Sequence, residues 1–302
     1  MTQETPNQPQ WESVGFIGLG VMGEPMCRNL VQKSGLAVVG LDLDPAPMER
    51  LAARGVAPGL DVADVLARTD VVLMSLPSGK QVEHLATMAG GLLEAVRAGQ
   101  TIVDLGTTPV PLTHDLAAKF KDRGVDFADA PVSRTRAAAE AGTLSILVGG
   151  APETFDAIHP LLDCFAEEVT HCGPTGAGQI VKQLNNMVLT ETVVALAEAL
   201  SVGRRAGLDG KQLFETLVKC SADSFALRNH GMKALVANEF PERAFPATYM
   251  LKDVDYALEL ARSQGLELRG AGLAKALLEE TIEAGYGDNY FPALINVVDD
   301  GD

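Results

Sequence analysis

Cysteine, aromatic residues and positive charge are all scarce in this chain. Four cysteines in 302 residues, Cys27, Cys164, Cys172 and Cys220, form no C-x-x-C pair, too few for a disulfide framework and in keeping with a reducing, cytoplasmic setting. The histidines, His84, His114, His159, His171 and His230, lack metal-ligand spacing, so no metal is expected. Lys and Arg number 24 against 40 Asp and Glu, a formal charge of -16, and no basic cluster interrupts that balance. Such a surface repels a phosphate backbone, which excludes nucleic acid as a partner while leaving room for a locally positive pocket that takes a small anion. There is no apolar run of about 18 residues, and MTQETPNQPQWE lacks the basic and apolar regions of a signal peptide, so no membrane segment is expected.

What is present is an ordinary globular composition, 47% hydrophobic and 21% charged, in a chain long enough for two domains. Residues 1–12 read as a flexible tail. Short apolar runs then recur at Val14 to Ile17, Val38 to Leu41, Val71 to Met74, Thr101 to Val103, Val125 to Ala128, Leu144 to Val148 and Val169 to His171. The first of these are separated by stretches of helical spacing, which predicts parallel βαβ units: a Rossmann-type, doubly wound α/β domain over 13–174. After Gly173-Pro174-Thr175-Gly176 the strand pattern stops, and Ala177 to Ala206 contains no proline. That stretch predicts one long helix, about 45 Å at 1.5 Å per residue, opening an all-α domain over 175–302. Its apolar residues cover more than one stripe, more than a single domain can bury, which predicts a homodimer or homotetramer.

Gly18-Leu19-Gly20-Val21-Met22-Gly23 fits G-x-G-x-x-G directly after the first strand and before a helical stretch. In this context the first glycine permits a tight turn, the second lets backbone approach a pyrophosphate, and the third lets helix and strand pack closely. Asp42 ends the second strand, where a carboxylate binds the adenosine ribose hydroxyls and repels a 2'-phosphate; the plainer alternative is a turn opened by Asp42 or Asp44 before Pro45. Leu43 stands where an arginine could balance such a phosphate, so NAD is expected in preference to NADP.

These motifs, with Leu76-Pro77, Asp104 and Thr107, Asp129-Ala130-Pro131-Val132-Ser133, Gly176-Ala177-Gly178 with Lys182, Asn185 and Asn186, Lys252-Asp253, and Gly285-Tyr286-Gly287-Asp288, resemble the β-hydroxyacid dehydrogenase family over nearly the whole chain after the tail. The resemblance implies that Lys182 is the catalytic acid/base and Asn186 a substrate ligand. Helical spacing agrees, because 182, 185, 186 and 189 share one face. It also implies that Leu76, Pro77 and Thr107 lie beside the nicotinamide, that Lys252 reaches the cofactor from the helical domain, and that the substrate is a short hydroxyacid or its aldehyde. Two alternatives remain: an imine reductase of the same architecture, against which Lys182 argues, and a non-catalytic dinucleotide-binding module.

The chain departs from the family where two glycines usually follow Ser133: here stand Arg134 and Thr135. A guanidinium and a hydroxyl can clamp a carboxylate, sulfonate or phosphate, and a similar pair occurs in the sulfolactaldehyde reductases of the family. Alternatively Arg134 points outward, and Ser133 with backbone amides binds an ordinary carboxylate. Arg136, Arg228 and His230 are weaker candidates for the same pocket. A second departure is Gly106, where the family commonly has serine.

Overall fold

The computed structural model describes residues 11–242 and 244–299. The predicted tail lies outside the described residues over 1–10; at its end, Trp11 is already buried in the core. The chain divides into two compact units, Met1–Lys182 and Gln183–Asp302.

The first unit is built on nine strands: β1 (Ser13–Ile17), β2 (Ala37–Leu41), β3 (Ala57–Pro58), β4 (Val71–Met74), β5 (Thr101–Asp104), β6 (Asp126–Asp129), β7 (Val132–Ser133), β8 (Leu144–Gly149) and β9 (Ala166–Gly173). They lie in the order β3-β2-β1-β4-β5-β6-β8-β7, with β9 paired to β8. From β3 to β6 every pairing is parallel, the doubly wound arrangement expected from alternating strands and helices. β8 then runs antiparallel to β6 and β7, so the sheet is not parallel throughout. The expectation of simple βαβ units stops at β6, because only two residues separate β6 from β7 and no crossover helix fits between them.

Side chains alternate across the sheet, and both faces are covered. Val14, Phe16, Val71, Leu73 and Val103 join one apolar cluster with Met26, Cys27 and Leu30 of the helix Gly23–Lys33. Ile17, Val72, Met74 and Ile102 join the opposite cluster with Leu66, Val82, Leu116 and Phe120, which come from three further helices. Strands buried on both faces read as continuous apolar runs, which is why these were visible in the sequence.

The helix Ala177–Arg205 is 29 residues long and fills the predicted span. Length and apolarity alone would let it cross a bilayer, yet half of its most apolar window is buried inside the protein. Val193, Val194, Leu196, Ala197 and Leu200 anchor the core of the second unit, together with Phe214, Leu227, Met250, Val254, Leu278 and Phe291. Val181, Leu184, Val188 and Val202, on the same helix, stay exposed at 40, 40, 58 and 68%. The second unit continues through the helices Gly210–Leu217, Ala247–Ser263 and Arg269–Thr281, with a π-helical segment over Leu227–Leu235. Within that segment His230 is buried and its Nδ1 lies 2.5 Å from the Tyr290 hydroxyl.

Candidate active site

The glycine-rich turn has the geometry a dinucleotide needs. Gly18 sits at φ +89°, and a Cβ there would come within 2.3 Å of the Ser75 carbonyl oxygen. A Cβ on Gly23 would fall 1.9 Å from the Gly18 carbonyl, so only glycine lets the helix start this close to the strand. Gly20 is exposed, with nothing within 4 Å of a Cβ position. Open backbone at the start of a helix is the cradle that a pyrophosphate fills, so the residues present fit the cofactor. Leu19 is buried, Val21 is exposed at 41% and Met22 is half-buried. Asp42 holds this turn directly: its Oδ2 accepts from the Leu19 N–H at 2.5 Å and its Oδ1 from the Asp44 N–H at 2.8 Å. Leu43 beside it is fully exposed.

Leu76 and Pro77 follow β4 and Thr107 follows β5, at the carboxyl ends of adjacent parallel strands, where ligands gather in open α/β sheets. Leu76 and Thr107 are half-buried and Pro77 is exposed. The loop that carries Thr107 is tied down on both sides. Asp104, fully buried, accepts from the Gly106 N–H at 2.9 Å and the Thr108 hydroxyl at 2.6 Å. A Cβ at Gly106 would sit 3.1 Å from both Asp104 Oδ1 and the Leu76 carbonyl, so the residue that replaces the family's serine occupies a tight position.

The start of the long helix is fixed by Asp129 at the end of β6. Its Oδ1 accepts from the Gly176 N–H at 2.6 Å and its Oδ2 from the Gln179 N–H at 2.8 Å, satisfying amides that a helix N-terminus leaves free. The approach is close: a Cβ on Gly149 would meet Asp129 Oδ1 at 2.6 Å, and one on Gly178 the Leu147 carbonyl at 2.2 Å. Burial pushes the Asp129 carboxyl above its ordinary range, against the opposing effect of the two amide bonds. Gln179, itself fully buried, donates from Nε2 to the Gly106 carbonyl at 2.9 Å and accepts at Oε1 from the Thr108 N–H at 3.0 Å. Three residues on, Lys182 is 8% exposed.

Asn186 lies one turn beyond Lys182 on the same helix. Its Nδ2 donates to Asp253 Oδ2 at 2.5 Å, and the Asn185 amide donates to Asn186 Oδ1 at 3.1 Å. Asp253 is 1% exposed and pairs through Oδ1 with Lys252 Nζ at 3.1 Å; that ammonium also sits 5.7 and 5.5 Å from the ring centres of Tyr249 and Tyr256. Lys252 and Asp253 therefore form a pair with a buried carboxylate rather than a surface pair, and Asp253 ties Lys252 to Asn186 within the helical unit.

The residues after Ser133 are arranged differently from an open clamp. Ser133 is half-buried on β7, opposite Ser145. Arg134 adopts φ +82°, a conformation that favours glycine, and its guanidinium is occupied by Glu167 and by the Thr143 carbonyl at 2.7 Å. Thr135 caps the helix Arg136–Ala141 through its side chain. Arg136 pairs with Glu140 and Arg228 with Asp223, both on the exposed surface, and His230 is enclosed by Phe225, Tyr290 and Phe291. Among the described residues no group of three or more His, Cys, Asp or Glu could hold a metal ion.

No sequence motif singles out Gln179, and Asp104, Asp129 and Asp253 stand in the sequence only as members of motifs. The available signal is an aspartate that ends each of two successive strands, Asp104 and Asp129, with Gly176-x-Gly178 marking a close backbone approach.

The chain resembles known proteins over both of its units. Residues 13–173 match the family model for the NAD binding domain of 6-phosphogluconate dehydrogenase, and residues 176–298 match that for the NAD-binding of NADP-dependent 3-hydroxyisobutyrate dehydrogenase. The chain is 35% identical to 2-(hydroxymethyl)glutarate dehydrogenase of Eubacterium barkeri, over 94% of each chain. It is 31% identical to the NAD-dependent L-serine dehydrogenase of Pseudomonas aeruginosa, over 95% of this chain and 98% of the other. The solved Mycobacterium tuberculosis 3-hydroxyisobutyrate dehydrogenase with L-serine superposes with a TM-score of 0.86 at 30% identity, covering 95% of this chain and 99% of that one. With two family models spanning both units and relatives matched end to end, the chain belongs to the β-hydroxyacid dehydrogenase family of NAD(P)-linked oxidoreductases.

Proposed function

We propose that this protein interconverts a short β-hydroxyacid and its semialdehyde with NAD, and that Lys182 is the proton donor and acceptor. The observation that carries the reading is the position of Lys182: nearly buried, one residue short of a full turn beyond Gln179, on a helix whose start is bonded to the end of β6 and to the loop after β5. Lys182 thus follows, on that helix, the residue bonded to the loop that carries Thr107.

NAD, when bound, accepts or supplies a hydride. In the reducing direction the Lys182 ammonium hydrogen-bonds the carbonyl oxygen and gives it a proton; in the oxidising direction the neutral amine takes the proton from the substrate hydroxyl. Burial serves that task, because water around the ammonium would screen its effect on the oxygen. Asn186, oriented by Asp253, serves as a substrate ligand, and Lys252 as a cofactor ligand. Asp42 just after β2 and the exposed Leu43 beside it favour NAD, because the carboxylate repels a 2'-phosphate and residue 43 supplies no cation to balance one.

The substrates named for the three relatives share one chemical pattern, a primary alcohol on a carbon attached to a carboxylate-bearing carbon. That pattern is the substrate class proposed for this chain, with Ser133 and Thr135 at the carboxylate end. Arg134 adds recognition of a second anionic group, carboxylate or sulfonate, whenever it exchanges Glu167 for the ligand. The exposed stripe Val181, Leu184, Val188 and Val202 supports assembly as a homodimer or homotetramer, and the formal charge of -16 argues against a nucleic-acid partner.

NADH oxidation by the purified protein against a panel of semialdehydes tests the reading, with Lys182→Ala alongside. Turnover that falls by roughly 10²–10⁴ in Lys182→Ala while NADH still binds supports it. A variant that keeps more than a tenth of the wild-type rate overturns the role of Lys182.

A further inference from the structure

The peptide segment Gly106-Thr107-Thr108 lies where a strand of the parallel sheet hands over to a loop, and loops in this position carry ligand contacts while remaining the most mobile part of such a fold. Here the loop is clamped by two residues from different elements. Asp104 holds it from its own strand, through the Gly106 N–H and the Thr108 hydroxyl. Gln179 holds it from the first turn of the long helix, through the Gly106 carbonyl and the Thr108 N–H at 2.9 and 3.0 Å. The two Gln179 bonds fall on either side of Thr107. A carboxamide presents one donor and one acceptor side by side without charge, which matches the carbonyl and N–H that the loop turns toward the helix.

The same residue is fixed at its other end. The Gln179 N–H donates to Asp129 at 2.8 Å, and the residue is 0% exposed. One buried residue thus connects the end of β6, through its backbone, with the loop after β5, through its side chain. Lys182 follows three positions later on the same helix.

We infer that Gln179 is a positioning residue that keeps Thr107 and the cofactor-side loop in register with Lys182; the functional part of this rests on the reading of Lys182 and Thr107 given above. Gln179 has no exposed surface to offer a ligand and acts through the loop. It acts by preventing the loop from sliding along the helix, since movement of Thr107 in either direction breaks at least one of its two bonds. Losing both bonds frees the loop from the helix but leaves Asp104 in place, so the loop loosens while the sheet stays intact.

Gln179→Glu tests this with a group of the same shape. Ionised, its second oxygen faces the Gly106 carbonyl and repels it; protonated, that oxygen donates and the original pattern returns. The full-length variant is expected to bind NADH roughly tenfold more weakly than wild type near pH 8, and to recover toward the wild-type value as the pH falls toward about 5.5. Gln179→Leu is expected to bind NADH weakly at every pH, and its cofactor-free form to exchange the Thr108 amide hydrogen at least tenfold faster than wild type. NADH affinity of Gln179→Glu that tracks wild type across the whole pH range overturns the inference, as does unchanged exchange at Thr108 in Gln179→Leu. If Gln179→Leu does not fold, the pH profile of Gln179→Glu decides alone. Binding and exchange need no substrate, so a wild type that turns over no hydroxyacid defeats the proposed function while these two measurements still report on Gln179.

Discussion

Replacing Asp129 with alanine removes the acceptor for two backbone amides at the start of the long helix, and the structure sets the size of the loss. Both bonds are short, 2.6 Å to Gly176 and 2.8 Å to Gln179, and the carboxylate is completely buried. An unsatisfied buried amide costs about 1–3 kcal/mol, so the two together cost about 2–6 kcal/mol. Water offers little relief, because Gly149 and Gly178 pack against the carboxylate so closely that a single added carbon at either would come within 3 Å of one of its oxygens. Against this stands the desolvation that raises the Asp129 carboxyl above its usual range, which alanine relieves. The net expectation is about 3–4 kcal/mol, and at roughly 2–4 °C per kcal/mol a melting temperature lower by about 10 °C. Urea unfolding followed by circular dichroism, with NADH binding as a probe of the first unit, measures it. Asp129→Asn keeps one acceptor and presents an N–H to the other amide, so it should lose less than Asp129→Ala. A loss below about 1 kcal/mol in Asp129→Ala would refute the argument, since the helix N-terminus would then have found other partners.

Three more outcomes follow from the same geometry. His230 has its pKa lowered to about 4 by burial, with Lys233 contributing, so the unfolded chain takes up the proton first. Its contribution of about 3 kcal/mol to stability should be present above about pH 6.5 and fade as the pH falls toward 4, and His230→Phe should flatten that slope in an acid-unfolding series. Glu167→Gln releases the Arg134 guanidinium from its carboxylate partner. KM for substrates with a second negative charge should fall several-fold with kcat unchanged, and equal KM values in the two proteins would show that Arg134 faces away from the ligand. Val188→Glu places a charge in the exposed stripe of the long helix. Light scattering should show a shift toward smaller species, whereas a wild type that is already monomeric at micromolar concentration removes the assembly proposal.

The sequence announced most of the sheet because burial on both faces leaves a simple trace. Val71 to Met74 is four apolar residues in a row, all four fully buried, the trace that a strand covered on both faces leaves. β3 and β7 were invisible because two residues carry no period, and the reversal of direction at β8 was invisible because strand pattern is the same in either direction. The π-helical segment holding His230 has no local rule that predicts it. The glycines of the dinucleotide turn were legible for a different reason: Gly18 and Gly23 are each required by one close backbone contact, and Gly20 between them leaves the backbone open. Arg134 marks the limit. Its chemistry suggested a free cation, but its partner Glu167 lies 33 residues away on β9, and only the folded chain brings the two together.

Arg134 also shows how a side chain can be tolerated at a position whose backbone favours glycine. The backbone at this position has φ +82°, which a glycine adopts freely and an arginine adopts at a cost of about 1–2 kcal/mol. A half-exposed ion pair and one carbonyl bond to Thr143 offset a cost of that order. The backbone at 134 therefore keeps a conformation that glycine adopts freely, while the Arg134 side chain rests on Glu167 instead of in solvent. Because the exposed pair is weak, an anionic ligand that reached Arg134 would displace Glu167 with little penalty. A tighter, buried partner would have sealed the arginine into the structure, so the exposure of Glu167 is what keeps the cation exchangeable.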